Sequence, residues 1–292
     1  MLEPVLAAVI PVLVTAGIGF AWVRSGRSVE SKVLSPLVMD LGTPCLIIST
    51  LTRAEIAPEA VAATAAATLC TFFGFALLAA LVLPLLKLPL RTYLPCIAFP
   101  NAGNLGLPVA LYAFGPEGLS YAIVFFAICS VANYTVGQAI SAGVANWRVM
   151  LRLPIVHAAL LGMLGSLFHV QLPPWLANTL SLLGGLTVPL MLLMLGASLA
   201  TLRITRLGPA LIVTILRIGG GFAIGLGVTW LFGLGGAARA ALVIQSAMPV
   251  AVLNYLFALR WDNRPEEVAG AVVLSTFASI LTVPLLLQLL LS

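Results

Sequence analysis

The side chains with chemistry to offer in this apolar chain are mostly amides, and they cluster. The run "FPNAGNLGLP", residues 99–108, holds Pro100, Asn101, Gly103 and Asn104 within five positions. A second proline-bearing run, "MPVAVLN", holds Pro249, Val250 and Asn254. An Asn amide donates hydrogen bonds to a carboxylate, and Asn also caps a helix start. Both uses fit Asn101 and Asn104, and Asn254 offers the same pair of readings. Between the two runs, "SVANYTVGQAIS" spaces Ser130, Asn133, Tyr134, Gly137, Gln138 and Ser141 at three- and four-residue steps. Such steps fall on one helical face, which either lines a polar path or bonds a neighbouring helix. Ser275, Ser279 and Thr282 repeat that choice later in the chain. No GxSG, GxGD, Ser/His arrangement or Walker loop occurs, so neither an enzyme nor ATP-driven chemistry is expected. Cys45, Cys70, Cys96 and Cys129 sit in apolar runs without CxxC spacing and read as free, buried thiols, with no metal or cofactor site.

Those residues need elements to hold them, and composition says what kind. Of 292 residues, 61% are hydrophobic and 8% charged, with mean hydropathy +1.15. That is an integral membrane protein rather than a soluble domain. Apolar runs are long and unbroken rather than alternating, so the fold class is all-α and not a barrel. Ten spans are expected near 2–23, 33–52, 61–86, 92–114, 118–143, 154–171, 175–200, 207–234, 238–259 and 268–291. Each approaches the ~20 residues that cross ~30 Å of hydrocarbon. Arg24 and Arg27 follow the first apolar run instead of preceding it, so 2–23 reads as a retained span. Eleven of the fourteen Lys and Arg residues lie in odd-numbered loops, against Arg53 and Arg239 on the other side. Positive loops stay cytoplasmic, which predicts an inner-membrane protein with both termini external. The net charge of +5 is this loop bias, and no nucleic-acid patch is present.

The two proline runs also align with one another. Pro100 matches Pro249 at an offset of 149, and Pro116, Glu117, Ala122 and Ser130 match Pro265, Glu266, Ala271 and Ser279 without a gap. Upstream, Pro44 of "GTPCLII" matches Pro189 of "TVPLMLL" at an offset of 145. The chain therefore reads as two repeats, about 1–145 and 150–292, each of five spans. An odd number of spans inverts the second copy. Broken helices at corresponding places of inverted halves point to a transporter's binding site. Irregular backbone survives at membrane depth only where protein or a wet cavity satisfies it. Counting the helical rise from Arg91 puts Pro100 ~13 Å deep, near the midplane. Helices broken there can cross and turn the N–H groups of their second halves toward an anion. Asp40 in span 2 and Arg217 in span 8 are the other deep candidates, for proton coupling or as an ion pair, because charge is costly there.

At these residues the chain resembles the auxin efflux carrier family, a branch of the bile acid/arsenite/riboflavin transporter superfamily. "PNxxNxGxP" at 100–108 is similar to the family's broken span 4, and "MPVAVLNYLFALRW" at 248–261 to its broken span 9. "TPCLIISTL" at 43–51 is similar to its span 2. The resemblance implies ten spans, an inverted repeat, a scaffold of spans 1, 2, 6 and 7, and a moving set of spans 3–5 and 8–10. It implies an elevator motion, and often a homodimer through the scaffold. It also implies an organic anion as cargo, since members carry auxin in plants and malate or malonate in bacteria. The crossing prolines map to Pro100 and Pro249, and the substrate-facing asparagine to Asn101. The long central loop of the plant carriers is absent, which points to a compact prokaryotic member.

The expected function is thus secondary transport of small carboxylates, with proton, sodium or membrane potential all open as driving force. An ion channel is the alternative, though channels usually build their pores between identical subunits; an intramembrane enzyme is a weaker one. The orientation is testable directly. Cysteines placed at Glu3 and at Ser292 should react with an impermeant thiol reagent in intact cells. Labelling only after lysis would reverse the topology.

Overall fold

The computed structural model describes residues 2–53, 57–143, 152–168 and 170–291. Among them the regular elements are helical: α1 (Leu2–Arg24), α2 (Ser31–Pro36), α3 (Thr43–Arg53), α4 (Pro58–Leu85), α5 (Leu90–Ala98), α6 (Leu107–Ala132), α7 (Gln138–Ala142) and α8 (Pro154–Leu167). There follow α9 (Pro174–Gly185), α10 (Thr187–Thr201), α11 (Leu207–Ile215), α12 (Gly221–Leu231), α13 (Gly236–Ser246), α14 (Val252–Arg260) and α15 (Pro265–Leu291). Single π-helical turns join α2 to α3 (Leu37–Gly42), lead into α6 (Ala102–Gly106), join α6 to α7 (Asn133–Gly137) and join α11 to α12 (Leu216–Gly220).

Among the described residues, seven helical runs are long and apolar enough to cross a membrane: Val5–Arg24, Val33–Arg53, Glu59–Leu85, Ala102–Ala142, Pro174–Thr201, Leu207–Leu231 and Pro265–Leu290. The sequence predicts ten, and the difference has a physical origin. α5, α13 and α14 have only nine, eleven and nine residues, because the chain is interrupted at both proline runs. Pro154–Leu167 is apolar but short. The run Ala102–Ala142 has 41 residues and takes in two of the expected spans. Straight, it would measure ~60 Å, about twice the hydrocarbon thickness. It is divided at Gly115, whose φ of 66° and ψ of −162° suit only glycine, and Pro116 restarts the helix behind it.

Local sequence explains both interruptions. Proline disfavours helical backbone in the residue before it, so Phe99 is extended (φ −113°, ψ 102°) and α5 stops at Ala98. Met248 precedes Pro249 in the same way, and α13 stops at Ser246. Around these breaks α13 packs on α6 and α12, α4 on α5 and α6, and α11 on α15. Elsewhere α1 packs on α10, and α3 on α8 and α9. Phe75, Tyr93, Ile97, Leu107 and Phe125 are fully buried among these contacts, while Leu85, Phe73, Leu182 and Trp230 face outward, as lipid-facing residues do. All four cysteines are free; Cys45, Cys96 and Cys129 are buried as expected, and Cys70 is half-buried.

The contact of α1 with α10 depends on backbone approach. A Cβ added to Gly19 would lie 2.9 Å from Leu193 Cα, and one added to Gly196 would lie 2.8 Å from the Phe20 amide nitrogen. Small residues allow such approach, and overpacking it typically costs about 1–3 kcal/mol. Gly196→Ala should therefore lower the thermal midpoint in detergent by several degrees. An unshifted midpoint would mean that the two helices stand further apart.

Candidate binding site

The two breaks meet. Pro100 and Val250 face each other as an isolated antiparallel bridge. The Asn101 N–H donates to the Pro249 carbonyl at 2.7 Å, and the Ala251 N–H donates to the Phe99 carbonyl at 3.3 Å. The Val250 N–H donates to Ser275 Oγ at 3.1 Å. Backbone that two prolines removed from helical bonding is thus paired again, as an apolar interior demands.

Asn254 closes the end of α5 from the other half of the chain. Its Nδ2 donates to the carbonyls of Pro95 and Phe99 at 3.1 and 3.2 Å, and its Oδ1 accepts from Asn133 Nδ2 at 3.1 Å. Arg217 acts on both first half-helices together. It is completely buried, and its two Nη groups donate to the carbonyls of Ile97 and Ser246, in the last turns of α5 and α13. Its guanidinium lies 3.9 Å from the centroid of the Phe75 ring. These carbonyls are among the four that every helix leaves unpaired at its C-terminus. Gly225 lets α12 come this near, since a Cβ there would meet Ser246 Cβ at 3.0 Å.

The sequence allows Asp40 and Arg217 to meet, and the structure keeps them apart. Asp40 is exposed in the π turn Leu37–Gly42, which packs on α8, α9 and α10, whereas Arg217 is enclosed by α4, α5 and α13. Among the described residues the ion pairs are those of Glu267 with Arg206 and Arg264, at 3.0 and 3.4 Å.

In front of the bridge lies a cavity of about 430 Å³, a volume that suits a small organic ligand. Residues 100–104 and 251–253 form one wall, and Ser130, Asn133 and Tyr134 form the next. Ser35, Met39, Met194 and Ser198 also line it. No ionisable carboxylate, amine, guanidine or imidazole lines it. Asn101 is 4% exposed, and its Nδ2 has no hydrogen-bond partner. Asn133 Oδ1 is likewise buried without one. Tyr134 is held edge-on to Phe257, with centroids 5.6 Å apart. Gly103 leaves room for the neighbouring ring, because a Cβ there would meet Phe126 Cε2 at 2.7 Å. The first amides of the helix beginning at Ala102 have no carbonyl four residues back to accept them within that helix.

Of the residues the sequence singles out, Pro100, Asn101, Gly103, Asn104, Asn133 and Tyr134 line this cavity. Pro249, Val250 and Asn254 stand behind it as the pairing and bracing of the breaks. Gln138, Asp40 and Arg217 are not in the lining, although Met39 beside Asp40 is. Ser35, Met39, Met194 and Ser198 carry no motif that would single them out in sequence. Among the described residues no group of three His, Cys, Asp or Glu side chains could hold a metal ion.

Comparison with known proteins agrees with this architecture. The chain matches the family described as "Membrane transport protein" over residues 4–149 and 143–287. It is 31% identical over 196 residues to an uncharacterised transporter of Methanothermobacter thermautotrophicus, covering 64% of each chain. It is 27% identical over 197 residues to an uncharacterised transporter of Methanocaldococcus jannaschii, covering 63% of each. With auxin efflux carrier component 1 of Arabidopsis thaliana it shares 26% identity over 148 residues, which is 48% of this chain and 23% of the plant protein. The matched stretch spans less than two thirds of the length of these relatives. With the family match running through both halves and across both breaks, this chain belongs to the membrane transport protein family, the family of the auxin efflux carriers.

Proposed function

We propose that this chain is a secondary transporter of small organic anions, bound as carboxylates where the two broken helices meet. One observation carries the reading: a nine-tenths buried Asn101 amide with an unpartnered donor, lining a cavity between two paired helix breaks. A buried donor left unmade costs about 1–3 kcal/mol, and a carboxylate oxygen would recover it with a charge-assisted bond.

The wider architecture follows from the same reading: ten spans in an inverted five-plus-five repeat, with the broken spans 4 and 9 crossing. Exchanging each span for the one five later supports it. The contact of α1 with α10 becomes that of α8 with α3, and α13 on α6 becomes α5 on α15, and each of these contacts exists. Gly42 and Thr187, equivalent at the offset of 145, lie against each other: a Cβ on Gly42 would be 2.6 Å from Thr187 Oγ1. In this scheme spans 1, 2, 6 and 7 are the scaffold, and a route to a homodimer. Spans 3–5 and 8–10 move against them as an elevator. The cavity also touches Val23, Ser28, Thr201 and Leu202, at the ends of α1 and α10 beside basic loops, so the proposed state is open to the cytoplasm.

Reconstituted protein should take up a labelled dicarboxylate or indole acetate, and should reject their amides and esters. Asn101→Ala should weaken anion binding about ten- to hundredfold with little change in thermal midpoint, since the lost bond is worth ~1.5–3 kcal/mol. Asn101→Asp should bind more weakly still. Asn254→Ala should instead lower the thermal midpoint, because it removes the side-chain donor shared by the Pro95 and Phe99 carbonyls and leaves Asn133 Nδ2 without its acceptor. An aspartate variant that binds the anion as tightly as wild type would move the site elsewhere.

Asp40, exposed beside the cavity wall, is the proposed proton-coupling residue. Asp40→Asn should abolish uptake driven by a pH gradient and spare counterflow exchange. Unchanged pH dependence would leave Asp40 without a coupling role.

A further inference from the structure

Four half-helix ends converge on the breaks, and on their own they nearly cancel. α5 and α13 arrive with their C-termini, each equivalent to about half a negative charge. The helices that begin at Ala102 and Val252 leave with their N-termini, each about half a positive charge. Two of each sum to almost nothing; no charged side chain lines the cavity, and the carboxylate beside its wall, Asp40, is exposed, where solvent screens it. The broken backbone alone therefore gives an anion little net attraction.

Arg217 alters that balance. A guanidinium stays protonated in proteins, and this one has no carboxylate partner among the described residues. It is bonded to the carbonyls of Ile97 and Ser246, at the two negative ends, and its Nε has no partner. We infer that Arg217 offsets the C-terminal charge of both half-helices and leaves the junction net positive, so that it selects anions in the cavity without touching them. Ile97, which it binds, is three residues from Pro100 in the cavity wall, so the charge stands on the order of 10 Å from the site. At an effective dielectric of about 20, a unit charge at that distance changes the affinity of a unit anion about tenfold. Phe75 covers the guanidinium, so water screens it little. Arg217 is thus a positioning and specificity residue that acts through the field at the breaks. It rests on the anion-carrier reading above.

The field can be read without knowing the cargo. A cysteine at Asn104, in a Cys129→Ala background, would sit in the cavity wall. Its reaction rates with a sulfonate-bearing and a trimethylammonium-bearing thiosulfonate reagent report the local potential as a ratio. That ratio should favour the sulfonate in the otherwise wild-type chain. It should fall tenfold or more with Arg217→Gln and be retained with Arg217→Lys. Phe75→Glu, which sets a carboxylate against the guanidinium, should lower it likewise and serves where Arg217→Gln does not accumulate. A purely structural role would change both rates together and would not be rescued by lysine. A ratio unmoved by Arg217→Gln or Phe75→Glu, or lost with Arg217→Lys, overturns the inference. Uptake of labelled indole acetate and of a dicarboxylate by the chain with Asn104 and Cys129 intact, in parallel liposomes, separates the two claims: no uptake with the expected ratios removes the cargo reading alone, and uptake with an indifferent ratio removes this one alone.

Discussion

A backbone interrupted at membrane depth has no water to fall back on, and that constraint organises the whole molecule. Each amide and carbonyl freed by Pro100 and Pro249 must find a partner within the protein. The partners come from far along the chain: residues 249–251 for the first break, Ser275 for the amide of Val250, Asn254 for the end of α5, and Arg217 for the ends of α5 and α13. Neither break could be closed by its own neighbours. Pairing the breaks therefore holds α5, α13, α14 and α15 together around Arg217, and the close glycine contacts of α12 with α13 serve that end.

The same constraint divides the asparagines by role. Asn254 uses its Nδ2 and its Oδ1 on groups inside the protein, which fixes its rotamer and marks it as structure. Asn133 uses one end and leaves Oδ1 without a partner. Asn101 leaves its donor unpaired in the cavity wall while its backbone N–H holds the bridge. Most buried polar groups in a folded protein are satisfied, so the exceptions carry information. Among the described residues, the unpartnered atoms of Asn101 and Asn133 belong to the cavity lining, while those of Thr43, Thr187, Arg217, Gln245, Ser246 and Thr282 lie outside it.

Much of this was legible in the sequence, and what was not has identifiable causes. The membrane setting, the helical class and both breaks follow from composition and from prolines inside apolar runs. Asn101 and Asn104 were picked out by sitting within a break. Asn254 carried the same residue type in the matching place, and its bracing role depended on which carbonyls came within reach of it. Arg217 was conspicuous as a deep charge, but its partners are backbone carbonyls, which leave no trace in residue identity. Residue identity offers only Asp40, the other deep charge, as an opposite for it. Met39, Met194, Ser35 and Ser198 were invisible for a different reason. Helices apolar on nearly every side have no polar face to distinguish a cavity wall from a lipid contact.

The distribution of directional bonds bears on the proposed movement. Bonds that tie α5, α13, α14 and α15 to one another include the bridge, the Asn254 and Arg217 contacts, and the links of Thr92 to Asn263 and Tyr93 to Glu267. Arg53 ties α3 to α9 through Ser181 and the Ala177 carbonyl. Among the described residues no hydrogen bond runs from α1, α2 or α10 to either break. That seam holds apolar side chains instead, including Val9, Val12, Leu105, Val109, Leu195 and Ile280 around a second cavity of about 280 Å³. Dispersion contacts are individually weak and non-directional, so a surface of them can be re-formed after a shift, whereas a network of oriented hydrogen bonds cannot be carried along piecemeal. Strong, oriented bonds within each group and apolar packing between the groups are what a rigid-body elevator requires. The break region would then travel as one piece, with its charge balance and its unpaired Asn101 donor intact.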